Sequence, residues 1–450
     1  MADWLSREEA KRLADRVLGY SRAEGCQVNL ASGLSGNTRS AVDGVSTSGE
    51  VRDTTVTVAS RFGKRSASVS TNLLGNAALR RAVETSEQLA RLAPENPEQM
   101  PLLESQRYAE VPALARATVE LDAEARAEAV GVTHGACVRA GLRGAGFIHR
   151  SVGATAVANS AGLFAYHSAS EVSHTLSVRT PAGDGAGWAG TAHSDWARSR
   201  APAALAERAI ARALQSRGAK PLEPGQYTVV LEPTAVANLL GLLAWSLDAR
   251  AADEGRSFFS RRGGGNRIGE KVVDERVTIL SDPAEPELLQ GPFTPEGEPI
   301  GRSVWIENGV VRNLAYNRFW AGKQGVAPRP QGGGIRMSGT DATLDQLIAQ
   351  VDRGLLVTRF WYIRSVDPRT ITHTGLTRDG VLLIEHGKVA RAVQNFRFNE
   401  SPVTMLRNLV ALGTPERVTS SESGGLGGTA MVVPPIVTRE FNFTSVSEAV

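Results

Sequence analysis

The stretch GLLVTRFWYIRSVDPRTITHTGLTRDGVLLIEHGKVARAVQNFRFNESP, residues 354–402, decides the fold. Residues 355–364 are rich in β-branched and aromatic side chains, the composition of a strand. Asp367-Pro368 and Arg378-Asp379-Gly380 carry turn chemistry. Residues 381–385 and 388–393 flank His386-Gly387, a tight hairpin signal. Four short strands this close, with few helix-forming windows around them, predict an antiparallel sheet or barrel in the C-terminal half.

The chain of 450 residues is long enough for two domains, each burying its own core. Apolar residues make up 42% and charged residues 22%, ordinary globular composition. The formal net charge is +3, and like charges run no longer than pairs such as Arg80-Arg81 and Arg261-Arg262. That pattern gives nucleic-acid binding no electrostatic support. Two distant cysteines, Cys26 and Cys137, argue for free thiols in a reducing compartment. Residues 1–22 are charged throughout and lack an apolar signal core, and the apolar window 235–247 is too short to cross a membrane. The expectation is a cytoplasmic protein with no membrane partner.

Taken in order, residues 6–20 read as a helix with Ser6 as N-cap and Glu9 three positions on. Strands are expected at 28–30, 51–59 and 64–70, then a long helix at 76–92 stopped by Pro94 and Pro97. After a proline-punctuated connector at 94–112, residues 113–140 read as helical. A hairpin at 153–168 turns at Asn159-Ser160-Ala161-Gly162 and continues to a strand at 175–179. Residues 201–217 form a third helix, and residues 221–224 end this half. A strand at 227–231 and a helix from Glu232-Pro233-Thr234 to about residue 252 open the second half, where Pro suits the first helical turn. Residues 414–428 read as turn-rich, and strands at 429–433 and 436–443 read as the closing edge of the C-terminal sheet. Pro434-Pro435 lies between them.

The runs GLLVTR (354–359), DPRT (367–370), TGLTRDG (374–380) and IEHGKVARAVQN (384–395) resemble the C-terminal domain of the TldD/PmbA family of bacterial and archaeal peptidase-like proteins. The likeness is greater to the PmbA branch, also called TldE, than to TldD. Pro292-Phe293, Glu296-Gly297, the run WIENG (305–309) and Ala321-Gly322-Lys323 fit the family as well, as does the Asn159-Ser160 turn. The resemblance implies an α+β fold of two domains. The first, residues 1–220, is an α/β domain with antiparallel strands and long helices. The second, residues 221–450, is mainly antiparallel β-sheet or barrel, with the boundary near 218–226.

In TldD-type relatives the helix matching the one after Glu232 carries an HExxxH zinc motif, completed by a C-terminal Cys. Here it reads AVANLLGLLAWSLD, residues 235–248. No His stands between His193 and His373, and no Cys follows Cys137, whereas zinc needs three or four N, S or O ligands. No metal site is expected in this chain. Asp248, Asp253 and Glu254 read as a solvated helix end beside Arg250 and Arg256.

Other signatures are absent or weak. There is no G-x-S-x-G elbow and no G-x-x-x-x-G-K-[ST] phosphate loop. The match Gly185-Ala186-Gly187-Trp188-Ala189-Gly190 opens no helix, so it reads as a loop or bulged strand and not as a dinucleotide site. Gly263–Gly265, 331–334 and 424–428 read as connectors or as mobile walls of a peptide channel. In TldD-like members the strand after the GLxVT motif borders the active cleft. The resemblance therefore makes Arg359, Trp361, Asp367, His373 and Arg378 the candidate peptide-binding residues. Strict alternation would set Arg359, Trp361 and Ile363 on one face of that strand and Phe360, Tyr362 and Arg364 on the other. The alternative for this set is a sheet with a buried Arg–Asp pair.

Three functions stay open at this stage. The family likeness favours a subunit without metal that trims or degrades unfolded peptides beside a TldD-type zinc subunit, or a homodimer where that partner is missing. An independent amide hydrolase with other catalytic groups is the second. A non-enzymatic regulator acting through protein contacts is the third, matching the family's older description as a modulator of DNA gyrase.

Overall fold

The computed structural model describes residues 4–41, 44–332, 334–419 and 430–447. The 424–428 connector lies outside them.

The N-terminal half is one six-stranded antiparallel sheet built from β1 (Gly25–Ala41), β2 (Gly44–Phe62), β3 (Arg65–Thr71), β4 (Arg143–Asn159), β5 (Phe164–Arg179) and β6 (Ala186–His193), in spatial order β3-β2-β1-β4-β5-β6. Its helices are α1 (Arg7–Leu18), α2 (Asn76–Leu92), α3 (Arg116–Val119), α4 (Ala123–Arg139) and α5 (Pro202–Gln215). The capping box of Ser6 and Glu9 starts α1 as the sequence predicts. β1 and β2 run far beyond the expected segments at 28–30 and 51–59, while β3 falls on the expected 64–70 to within one residue. Only positions such as Val28, Leu30, Val56 and Val58 announce themselves, because they pack under α1 and α2. Along β1 the remaining Ser, Thr and Gly positions are held by ladders to β2 and β4, whereas residues 44–55 of β2 are held by their long ladder to β1. The expected helix at 113–140 is interrupted: Ala113 bridges to Ala169, and Asp122 caps α4 through the Ala125 N–H at 2.9 Å.

His174 on β5 is fully buried, and among the described residues neither ring nitrogen has a hydrogen-bond partner. Burial pulls its pKa from 6.5 down to about 4. The unfolded chain therefore binds one more proton than the folded chain between those values. Stability contributed by neutral His174 is complete above pH 6.5 and is lost as pH falls toward 4, up to about 3 kcal/mol. His174→Leu should flatten the acid limb of a stability-against-pH curve. An unchanged limb would contradict this assignment.

The C-terminal half contains two sheets. The strands are β7 (Gly225–Leu231), β8 (Ile279–Ser281), β9 (Ser303–Glu307), β10 (Val310–Val311), β11 (Ile335–Met337), β12 (Arg353–Asp367), β13 (Thr372–Glu385), β14 (Lys388–Val393), β15 (Asn395–Glu400), β16 (Leu409–Leu412), β17 (Glu416–Thr419), β18 (Ala430–Val433) and β19 (Ile436–Ser447). The order β12-β7-β19-β15-β13 closes on itself because β12 also pairs with β13, giving a five-stranded barrel. Five phenylalanines fill it: Phe360, Phe396, Phe398, Phe441 and Phe443, with ring centroids such as Phe360–Phe398 at 4.6 Å and Phe396–Phe443 at 4.9 Å. The second sheet runs β10-β9-β8-β11-β18-β17. The last strands are thus not an edge. Pro434-Pro435 marks where the chain leaves one sheet for the interior of the other.

Helices here are α6 (Pro233–Trp245), α7 (Ala249–Asp253), α8 (Arg318–Gln324), α9 (Leu344–Ala349) and α10 (Pro402–Arg407). The single helix expected to residue 252 breaks at Ser246, and Asp248 then caps α7. The His386-Gly387 hairpin forms as read, with φ of 50° and 72° at its two residues. The turn read at Arg378-Asp379-Gly380 is instead a bulge inside the continuous strand β13. No helix among the described residues is long and apolar enough to cross a membrane.

Candidate functional site

The two halves meet along β6, the edge of the N-terminal sheet, and the β12–β13 side of the barrel. The register between β12 and β13 slips between Val357 and Arg359, opposite Asp379 and Gly380, which take φ of 55° and 130°. Such a bulge re-aims a side chain. Here the Asp379 carboxylate turns toward Arg359, whose Nε donates to it at 2.7 Å while Nη2 donates to the same oxygen. Both groups are about 6% exposed. The Arg359 guanidinium lies 4.9 Å from the Trp188 ring of β6 and 5.5 Å from Trp361. Arg378 covers Trp361 at 5.0 Å, with its Nε 3.8 Å from Asp379.

A cleft of about 480 Å³ opens beside this cluster, walled by Asp379 and Gly380 on one side and by Gly183–Ala186 on the other. It falls in the size range of ligand pockets. Its second carboxylate is Asp184, held below the usual range by the Thr180 hydroxyl and by Arg217. Among the described residues no histidine, cysteine or lysine lines it. The cleft offers places to bind and no nucleophile with an adjacent base.

Of the residues singled out from sequence, the structure gathers Arg359, Trp361 and Arg378. Asp367 and His373 sit at the other end of the β12–β13 hairpin, where Ser365 pairs with His373, roughly 20 Å along the strand from Arg359. Asp367 accepts from the Arg369 N–H (2.9 Å) and the Thr370 hydroxyl (2.8 Å), and His373 Nδ1 donates to the Ile371 carbonyl at 2.9 Å. Strict alternation also fails along β12. Tyr362 adopts φ 54°, so Ile363 rejoins Phe360 in the core and does not share a face with Trp361. Sequence reasoning missed Asp379, spent on a turn, and Trp188, which carries no local signal at all.

Helix α6 is tied to the barrel by Asn238, whose Oδ1 accepts from the Phe360 N–H at 3.1 Å. Val236, Leu239, Leu240 and Leu243 are at most 1% exposed and pack in the main core. These residues do not fit zinc, because none offers an N, S or O ligand. Among the described residues no three His, Cys, Asp or Glu side chains group to hold a metal. Asp248, Asp253 and Glu254 are each engaged separately: Asp248 caps α7, Asp253 accepts from Asn266 (2.7 Å) and Trp320 (2.8 Å), and Glu254 pairs with Arg250 and Arg256.

Ion pairs clamp the halves together. Glu232 at the head of α6 meets Arg208 (2.7 Å) and Arg212 (2.5 Å) of α5, and Glu416 of β17 meets Arg208 and Arg200, both at 3.2 Å. Half-buried Arg417 donates to the Ala192 carbonyl. Burial pulls its pKa to about 10 against the opposing charges of Glu171 and Glu287. Buried His193 stands 3.4 Å from Glu287, and burial with Arg417 nearby lowers its pKa. The match Gly185–Gly190 falls on this seam, as part of strand β6 and not a loop. Gly187 lets α5 lie directly on the sheet: a Cβ there would come 2.2 Å from the Ala209 carbonyl oxygen and 2.4 Å from the Ala213 nitrogen.

The family model for the PmbA/TldA metallopeptidase C-terminal domain matches residues 224–445, and that for the central domain matches residues 102–217. A metalloprotease of Archaeoglobus fulgidus is 30% identical over 182 residues, covering 37% of this chain and 41% of the relative. One of Methanothermobacter thermautotrophicus is 24% identical over 231 residues, 48% of each chain. The aligned stretches thus span less than half of these relatives' lengths. The crystal structure of TldE from Thermococcus kodakarensis superposes with a TM-score of 0.80 over 97% of this chain and 99% of that one, at 16% identity, which establishes a shared fold. With these two family models matching most of its length, this chain belongs to the TldD/PmbA family.

Proposed function

We propose that this protein is the TldE-type, metal-free subunit of a cytoplasmic peptidase complex that degrades or trims unfolded peptides. Hydrolysis belongs to a TldD-type partner, whose zinc supplies an activated water and polarises the scissile carbonyl. The observation that supports this reading most is α6. The helix that bears the zinc motif in TldD-type relatives is here an apolar core element, and replacing its leucines with ligands would dismantle the packing that holds it. This chain then contributes walls and peptide contacts. Trp361 and Arg378 are its candidate contacts beside the seam cleft, with Arg359 bracing both, while Asp367 and His373 would meet only a peptide extending to the far end of the hairpin. The partner is a TldD-type subunit or, in its absence, a second copy. The buried free thiols Cys26 and Cys137 fit a reducing compartment.

The test is purification with and without a TldD-type protein, followed by an assay on an unstructured peptide with added zinc. Turnover is expected only in the mixture. Turnover by this chain alone would replace the proposal with the independent hydrolase, and silence in both samples would leave the regulatory role.

A further inference from the structure

We propose that a second cavity, on the C-terminal domain, binds a multiply charged oxyanion of the di- or triphosphate type. The cavity has a volume of about 710 Å³ and is lined by five arginines, Arg261, Arg262, Arg267, Arg369 and Arg407, and by no acidic residue among the described residues. Two of these guanidiniums share one ring: Arg267 lies 4.6 Å and Arg407 5.6 Å from the centroid of buried Phe258. Among the described residues no carboxylate stands within ion-pair distance of Arg407, and the one beside Arg267 is shared with Arg261. Arg407 Nε donates to the Val272 carbonyl at 2.7 Å and Arg267 Nε to the Ser260 carbonyl at 3.1 Å, while Glu270 stands 3.9 Å from Arg267 and pairs with Arg261 at 2.8 Å. Holding like charges side by side is unfavourable unless an anion enters between them. Burial and the Arg267 charge both pull the Arg407 pKa below its usual range.

Arginine forks match phosphate and carboxylate oxygens alike. The count of donors separates the two. Arg261 and Arg267 share Glu270, and the forks of Arg262, Arg369 and Arg407, with the hydroxyls of Ser260 and Thr404 also in the wall, still exceed what one carboxylate accepts, while the volume suits a longer polyanion. The proposal is independent of the peptidase reading.

The experiment is titration of the purified chain with tripolyphosphate by calorimetry at fixed ionic strength, with a glutamate-rich peptide as the competing ligand. Saturable binding of tripolyphosphate is expected, weakened at least tenfold by Arg407→Gln and severalfold by exposed Arg262→Gln. Arg12→Gln, on the outer side of α1, should leave it unchanged. Far-UV circular dichroism confirms that each variant is folded, and Arg262→Gln disturbs no contact should Arg407→Gln prove unstable. Absence of saturable binding, equal affinity in all variants, or binding of the acidic peptide in preference to tripolyphosphate would overturn the proposal.

Discussion

Asp379→Ala will destabilise the protein by about 3–5 kcal/mol, the cost of leaving a buried charge without its partner. Arg359 cannot escape to water. It is enclosed between Trp188 and Trp361, and the bulge that delivers Asp379 also fixes where the guanidinium lies. Chemical denaturation of wild type, Asp379→Ala, Arg359→Met and the double variant separates the pair from the packing. The double variant should lose less than the sum of the single losses, because an apolar side chain between two indoles leaves no orphaned charge. A loss below 1 kcal/mol for Asp379→Ala would mean that the carboxylate is dispensable and that the seam is organised some other way.

Gly187→Ala is expected to cost about 3 kcal/mol, at the upper end of overpacking penalties. The added methyl meets backbone atoms of α5 and not the end of a flexible side chain, so relief requires the whole helix to lift off β6. Lifting α5 also withdraws Arg208 and Arg212 from Glu232, which couples the substitution to docking of the two halves. The measurement is the unfolding midpoint together with limited proteolysis of the connection at 216–224. An unchanged midpoint and an unchanged cleavage rate would contradict the close packing.

Much of the barrel was legible because the signals along β12, β13 and β14 are local. The β-branched run before Asp367 and the His386-Gly387 turn each decide their own geometry. The bulge was not legible. Asp-Gly is equally good chemistry for a turn and for a bulge, and only the pairing of β12 with β13 across a register slip selects between them. The long N-terminal strands were truncated in the reading for a related reason. Polar and small residues along β1 gain their extended conformation from β2 and β4, and those at 44–55 of β2 from β1, pairings that no local pattern records.

The candidate site divides the same way. Arg359, Trp361 and Arg378 stand in one run of sequence and meet in space. The contact of Arg359 with Trp188 joins positions from the two halves of the chain, so no spacing rule could have produced it. The expectation that this chain holds no zinc rests on the side chains of α6, which include no His, Cys, Asp or Glu.

The most direct test is the metal content of the pure chain, measured by elemental mass spectrometry alongside peptide turnover with and without a chelator. The account predicts zinc far below one ion per chain and no turnover from this polypeptide by itself. One tightly held zinc per chain, with peptide cleavage that a chelator abolishes, would contradict it.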